Sequence, residues 1–113
     1  MLRLVWSRHE IKAVKLAAVL AREAANVVKL AVKADHLLVS AESQRSGSQQ
    51  NKIEAKVEGE GLEIAFNCRF LEEFLLSVGG ESVEMELNNP KAPGKFSDPT
   101  DQSYFHLIMP VEI

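Results

Sequence analysis

A chain of 113 residues with 46% apolar and 26% charged side chains has the make-up of one soluble globular domain, large enough to bury a core without disulfides or a structural metal. Its formal charge of −3 gives the chain as a whole no attraction for nucleic acid, so any contact with DNA has to come from a local patch. The lone cysteine, Cys68, excludes an internal disulfide and fits a reducing compartment, while the short apolar runs and the absence of signal-peptide features in Met1–Trp6 lead to the expectation of a cytoplasmic location without membrane contact.

Leu2–Trp6 alternates well enough for a short strand. Ser7-Arg8-His9-Glu10 has the form of a capping box: the Ser hydroxyl can accept from the N–H three residues on, and Glu10 can reach back. The helix it opens is predicted to run to about Ala24, rich in Ala and free of Gly and Pro. At about 100° per residue, Val14, Ala17, Ala18 and Ala21 share one face with Ile11 at its edge, and small residues there let a helix sit close on a sheet. Lys12, Lys15 and Arg22 gather on another face, within about 80° of each other. Leu16 and Leu20 make a second apolar ridge at i, i+4, with Val19 beside the basic face. Such a ridge belongs either to a broad buried face or to a contact beyond the domain.

Asn26–Lys33 alternates, with Val28, Leu30 and Val32 opposite Lys29 and Lys33. After a turn at Ala34-Asp35-His36, Leu37–Ser43 is a second strand of this run. Gln44–Gln50 is polar and contains Gly, so a loop is predicted. Asn51–Val57 is a strand, with Ile53, Ala55 and Val57 on one side. Glu58–Gly61 turns, and Leu62–Phe66 is again a strand. Asn67 is a suitable N-cap for a second helix over Cys68–Val78, whose apolar stripe is Phe70, Leu71, Phe74, Leu75 and Val78. Gly79-Gly80 stops it. Ser82–Leu87, Lys95–Ser97 and Ser103–Pro110 are the remaining strands, separated by the proline-bearing loop Asn88–Gly94 and the turn Asp98–Asp101. The order is β-α-β-β-β over residues 2–57 and β-α-β-β-β again over 62–110, a repeat of elements rather than of letters. The predicted fold class is α+β: a single domain, 1–113, of two joined repeats with both helices on one face of the sheets.

No enzyme chemistry is visible. His9, His36 and His106 are dispersed and share no metal-ligand spacing with Cys68 or a carboxylate. Cys68, at a helix start, could have its pKa lowered by the dipole, but without a histidine fixed beside it a structural thiol is favoured. Glu72-Glu73 and Glu84/Glu86 read as solvated faces. Phosphate-binding, nucleophile-elbow and zinc-protease signatures are missing. No catalytic residue, metal or cofactor is therefore expected.

Two segments together carry a resemblance. Gly61–Leu75 (GLEIAFNCRFLEEFL) and Phe105–Val111 (FHLIMPV) resemble the C-terminal, third domain of the bacterial sliding clamp, the beta subunit of DNA polymerase III, which enters its second helix through an "iaFN" segment and ends in "imPvr". Val28-Lys29-Leu30 and Leu38-Val39-Ser40-Ala41 are similar to the matching part of the family's first half, so the likeness covers essentially the whole chain. Where the family often has Arg after Pro-Val, this chain has Glu112, and Gln44–Gln50 lacks the acidic cluster of some members.

The resemblance implies a DNA-clamp fold and a non-catalytic accessory role in DNA replication, as a processivity factor for a DNA-directed DNA polymerase. In that family three such domains form a subunit, and two subunits close head to tail into a ring around double-stranded DNA, held without base reading. The third domain also takes short hydrophobic peptides from polymerase, clamp loader and repair proteins. Carried over by position, the resemblance places Asn67, Phe70, Pro93, Leu107, Ile108, Met109, Pro110, Val111 and Ile113 at the peptide pocket. It places Lys12, Lys15 and Arg22 toward DNA, and Val19 and Leu20 at the ring interface. On this reading the chain starts where the third domain starts and lacks the other two. The alternative is a standalone α+β protein-interaction module of the clamp fold that does not encircle DNA.

Overall fold

The computed structural model describes residues 1–112, apart from the side chain of Gln102; the expectation placed on Ile113 lies outside the described residues. The elements are β1 (Leu2–Ser7), a 3-10 turn (Arg8–Glu10), α1 (Ile11–Ala21), β2 (Val27–Val32), β3 (His36–Ser43), β4 (Gly47–Glu58), β5 (Glu63–Asn67), α2 (Cys68–Ser77), β6 (Ser82–Leu87), β7 (Gly94–Asp98) and β8 (Asp101–Ile108). The doubled β-α-β-β-β order is therefore present. The strands pair antiparallel in one curled eight-stranded sheet, β5-β2-β3-β4-β1-β6-β7-β8. The halves are stitched together twice, by β1 on β6 and by β2 on β5. Both helices lie on the same side and touch each other.

The sequence explains these layers. In α1 the residues Ala13, Val14, Ala17, Ala18 and Ala21 are all buried, and their short side chains let the helix axis approach β2, β3 and β4. In α2 the buried stripe is Leu71, Phe74 and Leu75, with Cys68 at its head and Val78 just past its end. Phe96 of β7 joins the layers: its ring meets Phe66 of β5 edge-on at 5.4 Å and Phe74 of α2 at 5.6 Å. Edge-to-face pairs of this kind add about 0.5–1.5 kcal/mol each beyond the burial of their area. Gly94 opens β7 beneath this cluster. A Cβ there would lie 2.9 Å from Leu87 and Phe96 and 3.0 Å from Phe66, so only glycine lets the rings close.

Several expectations are corrected. β4 begins at Gly47, so only 44–46 turn and Gly47–Gln50 is strand, paired with Ser40–Ser43 of β3. α1 stops at Ala21 rather than Ala24, because Ala25 and Asn26 adopt left-handed conformations (φ 59° and 64°) and the Asn26 N–H donates back to the Ala21 carbonyl at 2.7 Å, a left-handed close of the helix end. Ser7 does cap, but its hydroxyl accepts from His9 N at 3.1 Å, two residues on, since the first turn is 3-10. α2 ends at Ser77, and β8 ends at Ile108, before Pro110, rather than running through it. Glu84 is not solvated: its side chain is 4% exposed and takes a 2.7 Å bond from the Arg3 guanidinium, which raises the Arg3 pKa. Among the described residues no helix is long and apolar enough to cross a membrane.

Candidate functional site

The last antiparallel pair sets the geometry. Gly94 stands across from Ile108, Lys95 from Leu107, Phe96 from His106 and Ser97 from Phe105. Because side chains alternate between the faces of a sheet, Phe96, His106 and Ile108 point toward the helices. Phe96 and Ile108 are buried, and the His106 ring lies 5.2 Å from Phe74. His106 also pairs with the Tyr104 hydroxyl at 2.9 Å. Lys95, Phe105 and Leu107 point the other way, onto the outer face.

The ladder ends at Gly94 and Ile108, and Pro93 and Met109 lie just beyond it on the two chains. Pro93, Leu107 and Met109 are all exposed at this end of the β7–β8 pair, with Leu107 and Met109 both 64% exposed. The chain then leaves the sheet because Pro110 has no N–H to give a ladder. Val111 returns: its N–H donates 2.8 Å to the Ala65 carbonyl of β5. The tail is thereby held two residues short of Asn67, whose Oδ1 accepts from Arg69 N at 2.9 Å and caps α2. Phe70, in the first turn of α2, is 51% exposed and stands off the buried stripe.

Of the sequence-predicted residues, then, Pro93, Leu107 and Met109 are exposed at the same end of the β7–β8 pair, and Val111 is tied to β5 two residues from Asn67. Ile108 is turned into the core beneath them. The basic residues are elsewhere. Lys12 and Lys15 are exposed on α1, which packs on β2–β4. Arg22, just past the end of α1, lines a shallow depression with Asn26, Arg69, Glu72, Glu73 and Leu76. Val19 is 59% exposed, whereas Leu20 is partly buried against the core. Val19 lies one turn before Glu23, whose carboxylate accepts from Ser43 Oγ at 2.6 Å and Ser46 Oγ at 2.8 Å at the β3–β4 hairpin. Beneath it β4 is paired with β3 over residues 47–54 but reaches β1 only from Ala55 onward, so the first part of β4 keeps an open edge.

Burial raises the Cys68 thiol pKa, and Glu72 adds to the rise, so the dipole does not make a thiolate of it. His9 meets Glu81 at 2.9 Å and His36 meets Asp35 at 2.7 Å. Among the described residues no three His, Cys, Asp or Glu side chains gather as a metal site would require. Sequence reasoning passed over Lys95 and Phe105, although the spacing of Phe105, Leu107 and Met109 at every second residue was a usable signal.

The profile of the family described as DNA polymerase III beta subunit, C-terminal domain, matches residues 4–112. The chain belongs to this family. It is 28% identical over 102 residues to the beta sliding clamp of Caulobacter vibrioides, an alignment covering 90% of this chain and 27% of that protein. With the beta sliding clamp of Staphylococcus aureus it shares 32% identity over 101 residues, 88% of this chain and 27% of the relative. The crystal structure of the Thermotoga maritima DNA polymerase III beta subunit superposes with a TM-score of 0.95 at 26% identity, covering 99% of this chain and 31% of that one. The chain thus spans about a quarter of the length of the curated clamps it matches, and the clamp-domain fold is shared over nearly all of it.

Proposed function

We propose that the chain acts as the third-domain part of a sliding clamp: a non-catalytic processivity element, cytoplasmic, that takes short apolar peptides from polymerase, clamp-loader and repair partners. The observation that carries this reading is the exposed apolar corner of Pro93, Leu107 and Met109 beside a tail tied to β5 next to Asn67. An exposed apolar group of this kind at a sheet corner is the usual mark of a contact site. Met109 is unbranched and adapts its shape to varied plugs, and Leu107 and Pro93 give fixed walls. Pro110 and Val111 set the direction of the tail, Ile108 supports it from beneath, and Phe70 and Asn67 form the α2 side. An extended peptide with a few apolar side chains fits such a surface.

The ring is the second part of the proposal and requires the rest of a full-length clamp. Residues 1–113 would serve as one domain of it. The open first part of β4, with Val19 above it and Leu20 behind, is the surface offered for head-to-tail closure. Lys12, Lys15 and Arg22 would attract the phosphates of double-stranded DNA without reading bases, so that the ring slides. Glu72 and Glu73 beside Arg22 reduce this attraction at the ends of the helices.

The test is a titration of a labelled apolar peptide, of the kind clamp partners carry, against wild type and Met109→Ala. The proposal expects the variant to bind at least about tenfold more weakly, in line with loss of a central apolar contact. Equal affinity in both proteins would remove the C-terminal strand from the site.

A further inference from the structure

The outer face of β7 and β8 extends past the corner formed by Pro93, Leu107 and Met109. Phe105 continues it: residues 105, 107 and 109 point the same way at intervals of roughly 7 Å, and Phe105 is 47% exposed. Ser97, across from Phe105, is buried, whereas Phe105 keeps about half of its surface open. Beside it stands Lys95, whose ammonium lies 4.9 Å above the Phe105 ring. Arg3, on the same face of the sheet, is bound by Glu84 at 2.7 Å and Glu58 at 3.6 Å. Lys95 by contrast has no carboxylate within 4 Å among the described residues. Glu86 is its register neighbour on β6, and the ammonium leans to the phenyl ring instead. The strip is thus apolar along its length and positive at the Phe105 end.

We infer that Phe105 and Lys95 form an additional subsite of this surface, which takes an acidic residue lying next to the apolar plug of an extended peptide. The inference rests on the proposed peptide-binding reading and adds to it both a specificity residue and a direction. Successive same-face side chains of an extended peptide repeat at the spacing of Phe105, Leu107 and Met109. A peptide whose apolar residues fill the Met109 end therefore brings a residue farther along onto Phe105. A carboxylate there meets Lys95, and a peptide laid the other way carries it away from that ammonium. The cation over the ring holds the ammonium in place for that contact.

The test uses fluorescence anisotropy with two labelled peptides that carry the same apolar residues and differ by Asp or Asn at the flanking position. Each is titrated against wild type, Lys95→Glu, Phe105→Ala and Met109→Ala, with thermal melts confirming that all four proteins fold. The wild type is expected to prefer the Asp peptide by about threefold, a preference that 0.5 M NaCl removes. Lys95→Glu should weaken the Asp peptide by about threefold to tenfold, leave the Asn peptide alone, and favour a Lys-substituted peptide in its place. Phe105→Ala should weaken both. If Met109→Ala weakens both peptides while Lys95→Glu and Phe105→Ala bind as wild type does, the additional subsite is wrong and the peptide-binding reading stands. If wild type binds neither peptide, or Met109→Ala changes nothing, the reading fails and the subsite with it.

Discussion

β4 and β8 close the two halves of the repeat, and they end in opposite ways. β4 has 12 residues, Gly47–Glu58, long enough to pair with β3 along its first part and still cross to β1 through Ala55–Glu58. β8 has eight, Asp101–Ile108, and Pro110 ends its ladder. What corresponds to the β1–β4 ladder is, in the second half, the bond from Val111 to Ala65 beyond the strand. Leu107 and Met109 remain exposed at the end of this shorter strand. The first half converts its last strand into sheet, and the second keeps part of its own exposed. The candidate site lies where the repeat is least regular.

The largest expected effect comes from the aromatic cluster that holds the second half to β5. Phe96→Ala removes both edge-on contacts and leaves a cavity, and should cost about 3–5 kcal/mol in urea unfolding. If hydrogen exchange then accelerates in β7 and β8 while β3 and β4 keep their protection, the halves differ in stability as they differ in closure. Gly94→Val tests the same region by overfilling it. With Leu87 and Phe96 2.9 Å and Phe66 3.0 Å from a new Cβ, inside ordinary contact distance, a loss of about 1–3 kcal/mol is expected. Val111→Pro acts on the tail alone by deleting the donor to Ala65. A loss near 1 kcal/mol, the usual net value of one hydrogen bond, is expected from urea midpoints; no change would mean that the tail is not held by this bond.

The smallest effect belongs to the β4 side. The Ser43 and Ser46 hydroxyls hold the Glu23 carboxyl below its ordinary pKa, so the folded state favours the ionised form. The contribution of this tie is complete above the ordinary glutamate range, near 4.3, and disappears as the pH falls through the lowered folded value. Melting temperatures of wild type and Glu23→Gln, measured from pH 6 down to pH 2, should differ slightly at the upper end and converge at the lower.

Most of the fold was legible because apolar periodicity and capping residues agree with the final packing. Val28, Leu30 and Val32, the small-residue face of α1 and the Asn67 cap all sit where their spacing puts them. The differences have local causes. Gly47–Gln50 has no apolar residue to mark a face, and only its partner Ser40–Ser43 makes it a strand. Ala-rich residues 21–25 contain no stop, so the helix end is set by the left-handed turn and by the tertiary bond from Cys68 N to Asn26 O at 2.7 Å. Glu84 looked solvated because Arg3, 81 positions away, could not be seen as its partner. For the candidate site, the motifs pointed to the tail, but the outward turn of Leu107 and Met109, the inward turn of Ile108 and the nearness of Lys95 to Phe105 follow from the β7–β8 register. Residue spacing alone does not fix that register.

The most direct measurement is amide chemical-shift mapping of the full 113-residue chain titrated with an unlabelled apolar peptide bearing an acidic flank. The account predicts that the largest shifts fall on Lys95, Phe105, Leu107, Met109 and Val111, extending to Asn67 and Phe70, with β3 and the first part of β4 unmoved. Shifts centred on Gly47–Glu54 and α1, or none at saturating peptide, would contradict it.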